Sequence, residues 1–394
     1  MALGVSLALS FSCALSFSCA PAALASRASV AAIAPTPPMG WSSWYKFGCG
    51  INETLFQQTA RALVSTGMSA IGYRYVNIDD CWMARQRSPS GALQPNPREF
   101  PDGISGLAAY VHARGLKLGI YLDTGSATCT GFPGSAGHLG QDIPTLAAWK
   151  IDYVKADYCR SRPAPAKPIY TRLQQAISAT GRPMLLNICE WGYQNPWEWG
   201  AGIGSTWRTT GDYFSYGAPR DYWKAILKVL DLNAPLASFA HPGAWNDPNA
   251  MLIGTGALTA TEERSQLSLW SILAAPLIAG GDLTKLSRST LAVLKNRDVV
   301  TVDQDPAGEQ GTRLVRDSVH QVWLRPLAGG SHALLLLNSS SRSATLTANL
   351  AKLGLPLRSV YLVRDLWTHR LYRSTGTISG RVGPHDVLMV KIAA

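Results

Sequence analysis

The chain has 394 residues, of which 46% are apolar and only 15% are charged, so it is long enough to bury a large core and more than one domain. The formal net charge is +11, but the Lys and Arg residues are scattered and no basic run of five or more occurs, which argues against nucleic-acid binding. Gly and Pro are frequent without clustering, which excludes repeat and low-complexity architectures.

The first 25 residues are apolar and rich in small side chains, with an A-x-A-like step at 23–25, which is typical of a secretion signal even without a basic n-region. Residues 26–35 would form a linker, and no later run is long and apolar enough to span a bilayer. We therefore expect a secreted or extracytoplasmic protein with no membrane association. After removal of the signal, five cysteines remain, which permits two disulfides and one leftover thiol.

Residues 36–311 alternate short apolar runs with amphipathic helical patterns. The eight runs are "MGWSSW" (from Met39), "YRYVNIDD" (Tyr73), "LKLGIYLD" (Leu116), "YVKADYC" (Tyr153), "PMLLNICEW" (Pro183), "STWRTTGD" (Ser205), "GAWNDP" (Gly243) and "APLIAGGD" (Ala275). Eight strand–helix units predict a closed parallel (β/α)₈ barrel, the TIM barrel. A doubly wound open sheet is the alternative, but no glycine-rich phosphate loop opens any of the helices.

The helical patterns between these runs carry start and stop signals. Asn52 can cap the segment "ETLFQQTARALVSTG". Its predicted buried face consists of Phe56, Ala60, Leu63 and Val64. Three glycines follow helical patterns where a left-handed C-terminal cap belongs, namely Gly67, Gly115 and Gly181.

From about residue 312 the pattern changes to short runs separated by turn residues, with no long helix between them. The runs are "HQVWLRPL", "SHALLLLNSS", "SATLTANL", "SVYLVRDLW", "GTISG" and "HDVLMVKIAA". They predict a C-terminal antiparallel β-sandwich domain over 312–394, with the boundary near Gly311.

The predicted strand ends are rich in carboxylates and tryptophans. The carboxylates are Asp79, Asp80, Asp123, Asp157, Asp212, Asp247 and Asp282, and the tryptophans are Trp41, Trp44, Trp82, Trp191, Trp207 and Trp245. In a TIM barrel these ends face the active site, and carboxylates beside indole rings are typical of sugar recognition. A metal site is the competing interpretation, but the seven His residues are spread out and none has ligand spacing at a strand end, so no metal and no cofactor are expected.

Two of the carboxylates have a cation as a neighbour. In "YVKADYC", period-2 alternation places Lys155 and Asp157 on one strand face and Val154, Ala156 and Tyr158 on the other. Lys155 would keep Asp157 ionised as a nucleophile, while Asp212 near Arg208 is a candidate general acid/base. Glycoside hydrolysis needs one carboxyl group in each role; a buried structural ion pair at each strand end is the alternative.

Seven ordered motifs carry a resemblance that single motifs would not. "TPPMGWSSWYKFGCGINETLF", "NIDDCW", "LKLGIYLDTGSATC", "YVKADYC", "CEWG", "WRTTGD" and "WNDP" resemble those of the α-galactosidases of glycoside hydrolase family 27, from Thr36 to about Asp305. The resemblance implies an exo-acting enzyme that releases terminal α-D-galactose from oligosaccharide or polysaccharide galactosides. It also implies a retaining double displacement, with Asp157 as the nucleophile and Asp212 as the acid/base.

The same resemblance implies roles for further residues. Asp79 and Asp80 would accept hydrogen bonds from the 4- and 6-hydroxyls, and Trp41 would stack on the sugar. Lys155 and Arg208 would hold hydroxyls near the reacting carbon, and Cys189 and Trp191 would surround the 2-hydroxyl. The implied disulfides are Cys49–Cys81 and Cys129–Cys159, which leaves Cys189 as the free thiol.

The sequence departs from the family motifs at five positions, which are Ser42, Ala156, Tyr158, Asn249 and Ala250. Single pocket contacts are worth about 1–3 kcal/mol of discrimination between substrates, so such changes can switch the preferred sugar without changing the mechanism. A β-L-arabinopyranosidase, an α-N-acetylgalactosaminidase and an α-1,6-glucan hydrolase are therefore alternatives. A carbohydrate-binding protein without catalysis is the alternative from another class.

Overall fold

The structure, a computed structural model, describes Met1 and residues 33–393. The predicted secretion signal and most of the predicted linker lie outside the described residues. All eight predicted barrel strands are present, and their bounds are β1 Met39–Ser42, β2 Tyr75–Ile78, β3 Lys117–Asp123, β4 Tyr153–Asp157, β5 Leu185–Cys189, β6 Thr206–Arg208, β7 Trp245–Asp247 and β8 Leu277–Ala279.

These strands form one parallel sheet in the order β7-β6-β5-β4-β3-β2-β1-β8. The two end strands are linked by Met251, which follows β7 and forms a parallel bridge with Ala279 of β8. The strands are buried along almost their whole length because helices cover the outside of the sheet and side chains fill the inside. The prediction of a (β/α)₈ barrel is therefore confirmed, and the carboxyl ends of all eight strands meet at one face.

The helices of the described barrel are α1 Trp44–Phe47, α2 Glu53–Ser65, α3 Gly103–His112, α4 Leu139–Ala148, α5 Ala166–Ala179, α6 Pro196–Trp199, α7 Tyr222–Asn233, α8 Ala260–Ile272, α9 Arg288–Leu294 and α10 Arg297–Asp303. As predicted, Asn52 caps α2, and its side chain accepts a hydrogen bond from the backbone N–H of Leu55. The three predicted cap glycines all have positive φ, between 69° and 76°. The prediction for Val64 is wrong, since this side chain is 44% exposed.

Eight antiparallel strands follow the barrel: β9 Thr312–Arg316, β10 His320–Pro326, β11 His332–Asn338, β12 Ala344–Asn349, β13 Tyr361–Asp365, β14 Leu371–Ser374, β15 Thr377–Val382 and β16 Asp386–Ile392. They form a six-stranded sheet in the order β14-β13-β16-β11-β10-β9 and a two-stranded sheet of β12 and β15. Leu334 and Leu336 of the large sheet pack on Leu346 and Ile378 of the small one. The predicted sandwich is confirmed, although the sequence pattern did not reveal β9 and β14.

Helix α8 lies between the barrel and the sandwich. Its sequence has no clear polar face, and its residues are buried on almost all sides. Ser265 donates a hydrogen bond to the carbonyl of His385, and Glu262 is 2.7 Å from Nδ1 of the same histidine. The predicted division at residues 36–311 and 312–394 stays a prediction, but β9 begins at Thr312.

None of the helices within the described residues is both long and apolar enough to cross a membrane.

Candidate active site

A cavity, here called the inner cavity, opens at the carboxyl ends of the barrel strands. It brings together four of the predicted site residues, which are Asp79, Lys155, Arg208 and Asp212. Its other polar or aromatic lining residues are Ser42, Trp44, Tyr45, Asn77, Tyr153, Asn187, Asp247 and Asn249. Residues from β1, β2, β4, β5, β6 and β7 and from the loops after them thus converge, as the barrel geometry requires.

Lys155 is the central cation of the inner cavity. Its Nζ lies 3.1 and 2.9 Å from the two carboxylate oxygens of Asp79, and 4.0 Å from Oδ1 of Asp157. Asp79 also accepts hydrogen bonds from Ser42 Oγ and from the backbone N–H of Asp80. Lys155 therefore makes its closest ion pair with Asp79 and lies farther from Asp157. The sequence had suggested that its partner would be Asp157, on the same strand.

Asp157 ends β4 and is almost fully buried. Its Oδ1 has no hydrogen-bond partner in the described part of the chain, and its Oδ2 lies 3.5 Å from Sγ of Cys129. Burial raises the pKa of Asp157 to about 7, because the loss of hydration outweighs the attraction of Lys155. Lys155 thus favours the ionised carboxylate, as expected, but burial outweighs this attraction in the substrate-free protein.

Asp212 lies in the loop after β6, and 36% of its side chain is exposed. Burial raises its pKa, but Arg208, with Nη2 3.2 Å from Oδ1, together with Lys155 and the hydroxyl of Tyr45 more than offsets this, so the pKa is lowered below its usual value. Arg208 is buried and also donates to the carbonyls of Thr210 and Gly211. Arg208 therefore fixes the loop after β6 and stabilises the ionised carboxylate of Asp212.

Tyr45 is a site residue that the sequence reasoning missed. Its hydroxyl lies 3.3 Å from Oδ1 of Asp212 and 3.0 Å from Oδ1 of Asn249, so its single proton can serve either oxygen. Asn249 is buried, and its Oδ1 also accepts the backbone N–H of Ala250. The family motif has an aspartate at position 249. Because this chain has asparagine there, the Tyr45 hydroxyl links Asp212 to a neutral amide and not to a second carboxylate. The only sequence signal was the position of Tyr45 just after the tip of β1.

The prediction that Trp41 stacks on the sugar is not supported. Trp41 is 0% exposed, donates Nε1 to the carbonyl of Gly281, and packs edge-on against Phe47 and Phe56. An indole without an accessible face offers no platform. Of the six tryptophans near the strand ends, Trp82, Trp207 and Trp245 are also fully buried, while Trp44 lines the inner cavity and Trp191 lines a second cavity.

Several of the strand-end carboxylates serve the local backbone. Asp80 accepts hydrogen bonds from the N–H of Cys81 and from the N–H and hydroxyl of Thr130, and it does not line the inner cavity. Asp123 accepts from the N–H groups of Gly125 and Cys159. Asp282 accepts from the N–H and hydroxyl of Thr284. The role of Asp80 toward a sugar hydroxyl stays a prediction.

Among the described residues, one cluster could supply ligands to a metal ion: Asp123, Cys129, Asp157 and Cys159, whose possible ligand atoms lie within 4.8 Å of one another. The two sulfurs are joined as a disulfide, so neither can act as a thiolate ligand. With Asp123 committed to backbone N–H groups, this group does not form a ready donor set for a metal ion.

A second cavity, here called the outer cavity, lies beside Asp212. Its lining consists of Cys129, Cys159, Arg160, Arg162, Trp191, Tyr193, Gly211, Asp212 and Ser215. Cys189 lines neither cavity; it is buried, pairs in register with Asp157, and has Sγ 4.0 Å from Nη1 of Arg208. Trp191 therefore borders the outer cavity while Cys189 borders neither, and their shared role around a 2-hydroxyl stays a prediction.

The five departures from the family motifs fall into two groups. Ser42, Asn249 and Ala250 line the inner cavity. Ala156 and Tyr158 do not: both are fully buried on the other face of β4, where Tyr158 stacks on Tyr170 of α5. The expectation that these two changes alter the pocket is therefore wrong, because they alter the packing between β4 and α5.

The two disulfides are those that the resemblance implied. Cys49 is joined to Cys81 and Cys129 to Cys159, with Cα–Cα distances of 5.3 and 5.1 Å, and Cys189 is the free thiol. Each bridge connects loops at the carboxyl ends of the strands. The second bridge borders the outer cavity and touches Asp157.

Replacing Cys49 and Cys81 together by serine should lower the free energy of unfolding by about 3–4 kcal/mol, as expected for a closed loop of this length in the chain-entropy account. The sequence separation is 32 residues. Chemical denaturation of the variant and the parent under non-reducing conditions measures the difference. An unchanged midpoint would mean that this bridge does not constrain the unfolded chain.

A (β/α)₈ barrel with carboxylates gathered at its strand ends, followed by a β-sandwich, defines the class of TIM-barrel glycosidases. Residues 36–305 match the family described as "Alpha galactosidase A", and residues 317–392 match "Alpha galactosidase C-terminal beta sandwich domain". The chain belongs to the α-galactosidases of glycoside hydrolase family 27, which makes it a glycosidase with α-galactosidase activity on galactosides.

Individual relatives agree with this assignment. An α-galactosidase of rice (Oryza sativa subsp. japonica) is 42% identical over 92% of this chain and 86% of its own length. Alpha-galactosidase A of Cellvibrio japonicus is 44% identical over 80% of this chain and 78% of its own. The crystal structure of α-galactosidase I from Mortierella vinacea superposes with a TM-score of 0.86 at 32% identity, over 91% of this chain and 97% of that one.

Proposed function

We propose that the protein is an exo-acting, retaining enzyme that releases terminal α-D-galactose, with Asp157 as the nucleophile and Asp212 as the acid/base. The observation that carries the proposal is that Asp212 lines both cavities, while Asp157, which lines neither, lies next to a lining residue of each. Asp212 lines both the inner and the outer cavity. Asp157 lies 4.0 Å from Lys155 of the inner cavity and 3.5 Å from Cys129 of the outer one. A glycosidic bond held where the two cavities meet would lie near both carboxyls.

In the first step, Oδ1 of Asp157 attacks the anomeric carbon while Asp212 gives its proton to the glycosidic oxygen, so that the bond to the leaving group breaks as the glycosyl–aspartate bond forms. Oδ1 suits this role because it has no hydrogen-bond partner in the described chain, and Lys155 lies only within ion-pair distance of it, at 4.0 Å. In the second step, Asp212 as the carboxylate takes a proton from water, and the hydroxide attacks the same carbon and releases Asp157. Two inversions give net retention.

Substrate binding must move a proton between the two carboxyls. In the free protein Asp157 holds it more tightly than Asp212 does, since its pKa is raised to about 7 while that of Asp212 is lowered. A bound galactoside would displace water from the exposed part of Asp212, and burial raises the pKa of a carboxyl. The positive charge that develops on the sugar ring would in turn stabilise ionised Asp157. The resting and the reactive forms carry the same number of protons.

The inner cavity is suited to a single terminal sugar. Asp79 and Lys155 present an acceptor and a donor side by side at 2.9 Å, which matches neighbouring hydroxyl groups. Asn187 donates a hydrogen bond of 2.9 Å to Asp247, which adds a second polar pair to the lining of the inner cavity. We further propose that the protein is exported, because its two disulfides are typical of oxidising compartments.

The test is a comparison of initial rates on four aryl glycosides: α-D-galactopyranoside, β-L-arabinopyranoside, α-N-acetyl-D-galactosaminide and α-D-glucopyranoside. We expect the galactoside to be cleaved fastest. Faster cleavage of another glycoside would place the specificity in Ser42, Asn249 and Ala250, which line the inner cavity. No cleavage of any of them by the folded protein would overturn the proposal and favour a binding protein.

The pH dependence of kcat/KM should be bell-shaped, with an alkaline limb near pH 7. The reactive pair needs one proton, and above the pKa of about 7 that proton is lost from the free protein. The acidic limb should lie below the usual range of an aspartic acid, because the second protonation is that of Asp212, whose pKa Arg208 lowers. The measurement is kcat/KM on an aryl α-galactoside from about pH 3 to about pH 9.

The matched variant for the pH profile is Asp212→Asn. It needs only ionised Asp157, so its residual activity should rise with pH through about 7 instead of falling. If the parent and the variant had alkaline limbs of the same shape, the proton lost near pH 7 would belong to another group.

A further inference from the structure

We infer that the outer cavity is a leaving-group subsite that favours anionic aglycones, meaning leaving groups that carry a carboxylate, sulfate or sulfonate, such as an acidic sugar. The inference rests on the proposed function, because Asp212 can protonate the glycosidic oxygen only if the leaving group lies on its outer side. The outer cavity begins at Asp212 and contains Arg160 and Arg162.

Arg162 is held in place by aromatic side chains. Its guanidinium carbon lies 3.4 Å above the centroid of the Tyr193 ring and 5.9 Å from that of Trp191. Trp191 and Tyr193 themselves contact each other edge-on, with centroids 5.9 Å apart. A guanidinium stacked by its face keeps the N–H groups on its edge available, and this edge matches a carboxylate or sulfate in a bidentate manner.

Neither arginine of the outer cavity is neutralised within the described part of the chain. Arg160 and Arg162 form no ion pair there, and their side chains donate no hydrogen bond. Other arginines do have such partners: Arg182 pairs with Asp152, and Arg208 with Asp212. The positive charge of this cavity is therefore available to a ligand.

The acidic groups near the outer cavity do not cancel this charge. Asp212 is the only carboxylate in the lining, and Arg208 already pairs with it. Glu190 is fully buried, and its Oε2 accepts the backbone N–H of Gln194. Burial raises the pKa of Glu190 to about 7 despite the attraction of Arg162, and the two side chains form no ion pair within the described residues, so Glu190 offsets the charge of Arg162 only in part. An anionic group in the outer cavity would thus meet two guanidiniums, while Tyr193, which is 57% exposed, offers an apolar ring for contact with a sugar.

The test compares three aryl α-galactosides whose leaving groups are 4-carboxyphenyl, 4-sulfophenyl and the uncharged methyl ester 4-(methoxycarbonyl)phenyl. The measured quantity is the ratio of kcat/KM for each anionic substrate to that for the ester. In the double variant Arg160→Gln/Arg162→Gln this ratio should fall about 5- to 20-fold, the loss expected from charge-assisted contacts. The kcat/KM for the ester should change less than about twofold, since an uncharged aglycone gains little from either charge.

The matched control is Arg172→Gln, an exposed arginine on α5 that lines neither cavity. Its ratio should equal that of the parent. In the parent, about 0.5 M NaCl should lower the ratio, because salt screens exposed charges. Comparing the ratios for the carboxylate and the sulfonate substrates shows which anion fits the outer cavity better. A ratio that is higher in the parent than in the double variant, for either anion, supports the inference.

An unchanged ratio in the double variant would overturn the inference, as would an equal loss on the charged and the uncharged substrates, which would indicate a structural role for the arginines. A folded parent that cleaves none of the three substrates would instead contradict the proposed function. The two failures are therefore distinguishable.

Discussion

Replacing Asp157 by asparagine should reduce kcat on an aryl α-galactoside at least about 10⁴-fold, the order of loss that follows removal of a covalent nucleophile. The side chain keeps its shape but can no longer form the glycosyl ester. Stability should not fall, because the ionised carboxylate is costly at this buried position, as its pKa of about 7 indicates. Steady-state rates and thermal unfolding at about pH 8 measure both effects.

The control for Asp157 is Asp282→Asn, a strand-end carboxylate that accepts hydrogen bonds from Thr284 and lines neither cavity. Its kcat should stay close to that of the parent. A second variant, Asp157→Gly, leaves room for azide, which should restore turnover and yield β-galactosyl azide. Substantial activity of Asp157→Asn, or rescue that yields the α-azide, would remove Asp157 from the role of nucleophile.

Replacing Asp212 by asparagine should reduce kcat/KM about 10²- to 10⁴-fold on substrates with poor leaving groups, the range typical of general acid catalysis. The loss should shrink as the leaving group becomes more acidic, because a dinitrophenolate departs without a proton. This dependence separates an acid/base from a group that merely binds the sugar. A plot of the rate loss against the pKa of the leaving phenol is the measurement.

The control for Asp212 is Tyr45→Phe, which removes the hydroxyl 3.3 Å from its Oδ1 but keeps the carboxyl and its pairing with Arg208. Its loss should be small and similar for all leaving groups. If Asp212→Asn lost the same factor for every leaving group, Asp212 would not donate the proton.

The barrel could be predicted from the sequence because each strand is a short apolar run that ends in polar residues, and this local pattern survives in all eight strands. Six of the eight sandwich strands could be predicted because they too are short apolar runs separated by turn residues. The strand β9 was not, since four of its five residues are exposed and it has no apolar face.

The site could be predicted only in part, because the carboxylates at the strand ends look alike in the sequence. Asp79 lines the inner cavity while Asp80 and Asp123 hold the backbone of loops, and this division depends on Thr130 and Cys159, which are distant along the chain. The indoles divide in the same way, since Trp41 is packed by Phe56 while Trp44 reaches the cavity.

The positions of Ala156 and Tyr158 follow from the sequence alone. Period-2 alternation in β4 already placed Ala156 and Tyr158 on the face opposite Lys155 and Asp157. These two departures from the family motifs therefore belonged to the packing of α5 and not to the pocket, as the structure has them. Tyr45, in contrast, reaches Asp212 across 167 positions of sequence, which only the folded barrel reveals.

The central claim is that Asp157 and Asp212 act by double displacement, and the most direct test is the anomer of galactose that is released first. Proton NMR of the parent enzyme with an aryl α-galactoside, read within the first minutes before mutarotation, distinguishes the two forms. The account predicts that α-galactose appears first and that the β-form follows by mutarotation. If β-galactose appeared first, the reaction would invert, and Asp157 would activate water instead of forming a bond to the sugar.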